Sequence, residues 1–429
     1  MKQQRINQTV KTTVASTLAT LPIERAVHAV PSYALKLALV GCGGRGSGAA
    51  VQALNTSQNV RLVAMGEVSA SQLEKSLKNI SAQKPEQVDV PKERQFIGFD
   101  AYKKAIAECD VVILATPPGF RPIMFEEAVR QGKHVFMEKP VAVDAPGVRR
   151  ILAAAKVAKE KNIRTAVGMQ RRHQPAYEEL VKRVQDGAIG DVHTMRVYWL
   201  GNSRDGKERL PGETEMEYQI RNWYYFTWLS GDHIVEQHIH NIDVGSWIKQ
   251  AYPIRANGQG GRQVRNGKRH CQIFDHHYVE YEYADGSRMI SECRQIRGCF
   301  PHVAEYVHGT KGNASIPPAQ TLFEITGPKA WSKRMKRRED GHQLEHYPFF
   351  NAITANKPYH EAEYGALSTM VAIMGRMATY SGKMVTWDEA FSSKLTEFPD
   401  NADYDTMPKV LPDKDGWYPV GMPGTTVAW

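Results

Sequence analysis

Cysteine is scarce and unpatterned: five residues in 429, at Cys42, Cys109, Cys271, Cys293 and Cys299, odd in number and with no Cys-x-x-Cys pair. That spacing gives neither a disulfide framework nor a cysteine metal pair, and it leaves the redox compartment open. Long apolar runs are also missing. Beyond the N-terminus nothing approaches the about eighteen apolar residues that a membrane helix needs, so membrane insertion is not expected. Charge of one sign is not concentrated either, since 55 Lys and Arg stand against 46 Asp and Glu, a formal +9. The basic stretches "GRQVRNGKRH" and "KAWSKRMKRRED" read first as solvated loops and second as attraction for an anionic substrate; nucleic acid is not an expected partner. What remains is ordinary for a soluble globular protein, 42% hydrophobic and 24% charged, in a chain long enough for two or three domains.

The first thirty residues differ in composition. They carry basic residues early, a weakly apolar middle rich in Thr and Ala, and a small-residue exit at Val27-His28-Ala29, the outline of a secretory leader. The middle is poor in Leu and is followed by Pro22, Glu24 and Arg25, and only Arg5 stands where a twin-arginine leader would carry its pair. Periplasmic export through a weakened leader and cytoplasmic residence behind a disordered extension are both compatible with residues 1–29.

From Leu35 the pattern changes. An apolar run to Val40 stops at Gly41-Cys42-Gly43-Gly44-Arg45-Gly46, and an Ala-rich helical segment follows. Gly41, Gly43 and Gly46 fit the three roles of GxGxxG: the tight turn, the close approach of backbone to pyrophosphate, and helix–strand packing. A second strand-like run, "VRLVAMGEV", ends at Glu67, twenty-six residues past Gly41. A carboxylate there accepts from ribose hydroxyls and repels a 2′-phosphate, which favours NAD over NADP, although Arg45 beside the turn offers phosphate a guanidinium. Further strands end at Thr116-Pro117 and at Glu138-Lys139-Pro140. This alternation predicts a doubly wound parallel sheet, with ligands beyond the carboxyl ends of its strands. A lysine at such an end, beside a nicotinamide, is desolvated and faces the ring's positive charge. Both favour its neutral amine, which suits Lys139 to take a proton from a substrate hydroxyl.

The stretch "GDHIVEQHIHNID", Gly231 to Asp243, reads as one helix with His233, Glu236, His240 and Asp243 on a polar face and Ile234, Val235, Ile239 and Ile242 on the other. His233, Glu236 and His240 offer a metal alternative, but the spacing is not the His-Glu-x-x-His of zinc peptidases. His238 falls near the apolar side, where a hydrogen-bonded core histidine is the plainer reading.

Taken together, "VGCGGRG", "ATPPGFRP", "MEKP", "VGMQRRHQPAY", the helix holding His240, "HGTKGNASI", "EAEYGALSTM" and "VTWDEA" resemble the glucose-fructose oxidoreductase, inositol dehydrogenase and rhizopine-catabolism group, Gfo/Idh/MocA. The resemblance covers about residues 34–395. It implies an α/β chain: a Rossmann NAD-binding domain at 33–158, then an α/β domain at 159–395 with a large, mostly antiparallel sheet, to which runs such as "VHTMRVYWL" belong. A helix at 361–382, with a buried stripe at Met370, Ile373 and Met377, would pack back on the first domain, and 396–429 would form an extended tail. The resemblance assigns the cofactor to Gly41, Gly43, Gly44, Arg45, Gly46, Glu67, Thr116, Pro117, Glu138, Lys139 and Gln170. Substrate falls to Arg171, Arg172, His238, His240 and Asp243; apart from the resemblance, Trp223 and Trp228 are aromatic candidates either for stacking on a sugar face or for core or interface packing. The group's Asp-x-Gly-x-His-x-x-Asp falls on Glu236, His238, His240 and Asp243, so Glu replaces Asp and His replaces Gly. Pairing of open sheet faces in such proteins implies a homo-oligomer.

The expected chemistry is hydride removal from a secondary hydroxyl of a sugar, polyol or glycoside to NAD. Lys139 would act as base, with His240 sharing the proton and Glu236 orienting His240 from one helical turn away. A redox-neutral glycosidase or lyase cycle of oxidation, elimination and re-reduction is the main alternative, drawing on His238 and Glu236 as extra acid–base groups. A noncatalytic dinucleotide-binding protein is the other.

Overall fold

The computed structural model describes residues 34–57, 59–203, 205–399 and 402–429; the leader-like segment 1–29 lies outside the described residues.

Six parallel strands form the first sheet: β1 (Leu35–Val40), β2 (Val60–Glu67), β3 (Gln95–Ile97), β4 (Val111–Leu114), β5 (His134–Met137) and β6 (Thr165–Val167). Their order is β3-β2-β1-β4-β5-β6. The strands are apolar almost throughout because helices cover both faces. Alternate residues feed two separate cores: Leu37, Leu39, Ile113 and Phe136 face one side with Phe349 and Phe350, while Ala38, Val40, Val112 and Leu114 face the other. Each such Leu, Ile or Val, fully buried, contributes about 1.5–3 kcal/mol. Strand order reverses between β1 and β4, so their carboxyl ends open a crevice at the switch point.

The second sheet has nine strands: β7 (Val192–Gly201), β8 (Arg255–Gly261), β9 (His276–Glu282), β10 (Arg288–Gln295), β11 (His302–Gly309), β12 (Gly312–Ile316), β13 (Leu322–Thr326), β14 (Trp331–Arg334) and β15 (Val385–Thr386). They run in the order β14-β13-β12-β11-β7-β10-β9-β8-β15. Every pairing is antiparallel except β7 with β10. In β10 Met289, Ser291, Cys293 and Gln295 point inward, and the residues between them are less buried, the period-two pattern of a sheet covered on one face.

Helix Ala362–Ser381 lies against both helix Ala145–Glu160 of the first sheet's layer and β8 of the second sheet. It buries 17 of its 20 residues, so the expected stripe at Met370, Ile373 and Met377 is in fact burial on all sides, and its carboxyl end stops at Gly382 in the left-handed conformation. The tail runs along its own chain. Phe398 packs edge-on to Phe120 at 5.0 Å, Tyr404 edge-on to Phe99 at 4.9 Å, and Tyr418 edge-on to Phe226 at 4.9 Å.

Candidate active site

The crevice begins with the glycine turn. Gly41 has φ +91°, and a Cβ there would lie 2.5 Å from the Thr116 amide nitrogen, so only glycine lets β1 and β4 end this close together. A Cβ on Gly46 would overlap the Gly41 carbonyl oxygen, whereas one on Gly43 or Gly44 would meet nothing within 4 Å. That open ground fronts the amino end of helix Gly44–Leu54, where no side chain caps the first N–H groups. Uncapped N–H donors, the positive end of the helix dipole and a backbone free of Cβ atoms fit a dinucleotide pyrophosphate. At the end of β2 the Glu67 carboxylate accepts from the Cys42 amide at 2.7 Å and the Val68 amide at 2.8 Å. The oxygen that accepts from Val68 also accepts from the Ser69 amide at 3.3 Å, so the one bonded to Cys42 keeps a lone pair for a ribose hydroxyl. Thr116 is fixed by the buried Arg121, whose Nη2 donates to its carbonyl at 2.8 Å, and Pro117 follows at the same strand end.

Beyond β5, Glu138 is 3% exposed and pairs with Arg45 Nε at 2.9 Å. Arg45 also donates to Gln52, so its guanidinium is committed on the Glu138 side and Glu67 is left as the charge at the ribose end. Lys139 reaches across to the second half of the chain. Its Nζ donates to the Glu236 carbonyl at 2.5 Å and to the Glu236 carboxylate at 3.0 Å.

A break in the stretch read as one helix makes that contact available. A short turn, His233–Glu236, ends at Gln237, and helix Ile239–Lys249 starts afresh after His238. The His240 amide bonds to Gln237 O, and those of Asn241 and Ile242 to His238 O. An unbroken α-helix would give the Glu236 carbonyl to the His240 amide; here the lysine takes it. His240 stacks on Trp199 with ring centroids 5.9 Å apart. Burial, and then the Lys139 and Arg171 charges, hold its imidazole well below the usual histidine range, so it is neutral at ordinary pH.

Sequence profiles of the GFO/IDH/MocA family match both halves of the chain: one described as an oxidoreductase family with NAD-binding Rossmann fold matches residues 35–168, and one for the GFO/IDH/MocA C-terminal domain matches 177–315. The chain belongs to the GFO/IDH/MocA family. It is 27% identical over 210 residues to an inositol 2-dehydrogenase of Rhizobium meliloti, covering 49% of this chain and 57% of that protein; the chain thus spans little more than half of that relative's length. Its fold is also that of the aldose-aldose oxidoreductase of Caulobacter crescentus (TM-score 0.65, 20% identity, 82% of this chain and 99% of that one). Levoglucosan dehydrogenase in complex with NADH and levoglucosan is as similar (TM-score 0.65, 16% identity, 82% and 99%).

Several family-derived positions are engaged differently from the expectation. Glu236 does not orient His240, because its carboxylate is on Lys139. His233, Glu236 and His240 do not gather as a metal set: with the helix broken, His233 is turned into the core against His277 at 4.8 Å. Among the described residues the one His/Cys/Asp/Glu group whose ligand atoms converge is Asp232, His233 and His277. His238 is fully buried, with Nε2 2.8 Å from Ser291 Oγ, so it is a core histidine and not a substrate ligand. Arg172 and Asp243 are spent on each other, with Arg172 Nε and Nη2 at 2.9 and 2.8 Å from the carboxylate and Ser368 Oγ also donating to it. Arg171 is 2% exposed and paired with Glu305. Trp228 is core, its Nε1 donating to Gln219 at 2.6 Å, and the half-buried Trp223 packs edge-on to Tyr224.

The site also holds Glu305 and Gln320, which no motif of the sequence marks. Glu305 on β11 gathers Arg171, Asn241 Nδ2 at 2.6 Å and Tyr177 Oη at 3.3 Å. Gln170, Arg171 and Trp199 share the wall of a cavity of about 240 Å³ with Gln320 and Arg338. Glu305 and Gln320 stand more than a hundred residues beyond Lys139, and no local period marks them.

Proposed function

We propose that the chain is an NAD-dependent oxidoreductase that removes hydride from a secondary hydroxyl of a sugar or polyol. The observation that carries this reading is the meeting of Lys139, Glu236 and neutral His240 at the strand ends that also present the glycine turn and Glu67. Bound NAD would supply the hydride-accepting ring. Gly43 and Gly44 leave room for its pyrophosphate, and Glu67 holds its ribose. His240, a free base, takes the hydroxyl proton. Lys139, whose ammonium is held by Glu236, donates a hydrogen bond to the same oxygen and stabilises its developing negative charge. This allocation gives the proton to His240 and not, as expected from the residue pattern, to Lys139, because the Lys139 Nζ already donates to the Glu236 carbonyl and carboxylate.

The oxidation–elimination cycle loses the groups that recommended it, since His238 is in the core and Glu236 is the counter-ion of Lys139. The deciding experiment incubates the purified chain with NAD and a panel of polyols, free sugars and glycosides, following reduced cofactor and sugar products together. Reduced cofactor equal to ketone formed is the expected result. Aglycone release without net reduction would establish the redox-neutral cycle instead, and no turnover despite retained NAD would favour a noncatalytic role.

A further inference from the structure

The cavity beside Trp199 has a charge character that the proposed reaction does not require. Two guanidiniums line it, Arg171 and Arg338, and no carboxylate does. Arg171 is neutralised by Glu305. Arg338, in the turn between β14 and the short helix Gly341–Leu344, has no ion-pair partner among the described residues; the adjacent Asp340 accepts from the Gln343 amide and caps that helix. Two amide side chains complete the wall. Gln170 and Gln320 are each 4% exposed, and each has its Oε1 without a hydrogen-bond partner; an amide can present either its oxygen or its NH2 to a ligand. Ala319 and Gln320 both hold positive φ, +75° and +54°, a conformation that non-glycine residues adopt at a cost. Arg338 is an exposed residue at the mouth of this cavity, and partial desolvation together with the nearby Arg171 charge pulls it below the usual arginine range. A bound anion would offset both effects, because a guanidinium fork pairs a carboxylate or sulfate through two parallel hydrogen bonds.

We propose that the substrate is a carbohydrate carrying one anionic group, a uronate carboxylate or a sulfate ester, with Arg338 pairing the anion and Gln170 and Gln320 hydrogen-bonding beside it. The proposal rests on the carbohydrate reading above and names the substrate class of that site. The reacting carbon lies toward His240, whose ring stacks on the same Trp199 that walls the cavity. Lys333, Arg334, Lys336 and Arg337 precede Arg338 in the sequence and raise the local concentration of anions near the mouth.

The test is calorimetric titration of the NADH-loaded full chain with matched pairs: glucose against glucuronate, galactose against galacturonate, and each hexose against its 6-sulfate, with inorganic sulfate as control. Turnover with NAD is measured on the same panel. The acidic member of at least one pair should bind about tenfold tighter or better, the scale of a charge-assisted hydrogen bond, with preference for uronate or sulfate identifying the source of the anion. Arg338→Gln should bring the ratio of acidic to neutral affinity down to about one, and Arg338→Lys should restore part of that ratio. Equal or tighter binding of the neutral members overturns the proposal, as does an Arg338→Gln variant that weakens both members alike. Inorganic sulfate binding as tightly as the sugar sulfate would mean an adventitious ion only. Oxidation of neutral sugars without acidic preference removes this proposal and leaves the oxidoreductase reading standing; absence of both binding and turnover removes the two together.

Discussion

The glycine turn allows a test in which stability and cofactor affinity separate. Gly43 has φ −68°, a value alanine accepts, and a Cβ there meets nothing within 4 Å. Gly43→Ala should therefore fold as well as the parent, or slightly better through reduced freedom of the unfolded chain. The added methyl stands on the ground that a pyrophosphate must approach. Overpacking of one methyl group costs about 1–3 kcal/mol, so NAD should bind about 5- to 150-fold more weakly. Gly46→Ala is the contrasting case, because its Cβ overlaps the Gly41 carbonyl oxygen even in the free chain. Relieving that overlap moves helix Gly44–Leu54 or the end of β1, and about 1–3 kcal/mol should be lost from folding itself, with NAD affinity falling as a by-product. Thermal unfolding of the free variants, with fluorescence titration of NADH into each, reads both quantities. A Gly43→Ala chain that binds NADH like the parent would show that the cofactor does not pass over this turn, whatever its melting temperature.

Three further outcomes are expected. Glu236→Gln removes the countercharge on Lys139 and should lower kcat about 10- to 100-fold with NADH affinity unchanged; unchanged kcat would separate that ion pair from the chemistry. Because burial holds His240 below its usual range, kcat/KM for oxidation should stay level as pH falls through about 6.5 and drop only at more acid values, and a drop centred at the ordinary histidine value would exclude His240 as the proton acceptor. Stability should fall in acid for a related reason: burial lowers His238 to about 3, so below about pH 6.5 the unfolded chain takes up a proton that the folded chain excludes. His238 alone then costs about 2 kcal/mol on going from pH 7 to pH 5, a difference that His238→Gln, able to keep a bond to Ser291, should remove from denaturant titrations at the two pH values.

The Rossmann half was legible because its signals are local. Four buried apolar residues, Leu37 to Val40, a glycine turn and an acidic strand end follow one another closely, and their roles follow from backbone geometry alone. The short β3 was not legible, since Gln95–Ile97 is three residues long, none of them buried, and it exists because β2 offers it a neighbour. The polar stretch was misread for the opposite reason: its local signal was strong and wrong. Apolar spacing favoured one helix, but Asp232 holds φ +72° with its carboxylate taken by the Tyr380 hydroxyl at 2.7 Å and the Phe274 amide at 3.0 Å. Those partners lie 148 and 42 residues away. They fix the entry to the stretch, turn His233 into the core, and leave the helix to begin again at Ile239. Residue types were thus readable at Glu236, His238 and Asp243, but their partners were not, because Lys139, Ser291 and Arg172 come from other elements.

That same break gives the site its geometry. A continuous helix would satisfy the Glu236 carbonyl internally and leave Lys139 only a flexible carboxylate to hold. With the helix interrupted, Lys139 is held at two points of one residue, a backbone oxygen and a side-chain oxygen, and a cation bound twice has far less freedom than one on a single side-chain contact. His240 rides on the restarted helix, which packs on β7 of the second sheet, and stacks on Trp199 of that strand. The lysine therefore takes its position from the first sheet and the histidine from the second, and the interrupted turn between Glu236 and Ile239 sets the distance between them. The helix gives up one backbone hydrogen bond at Glu236, and the lysine contact made in its place joins the two halves of the site.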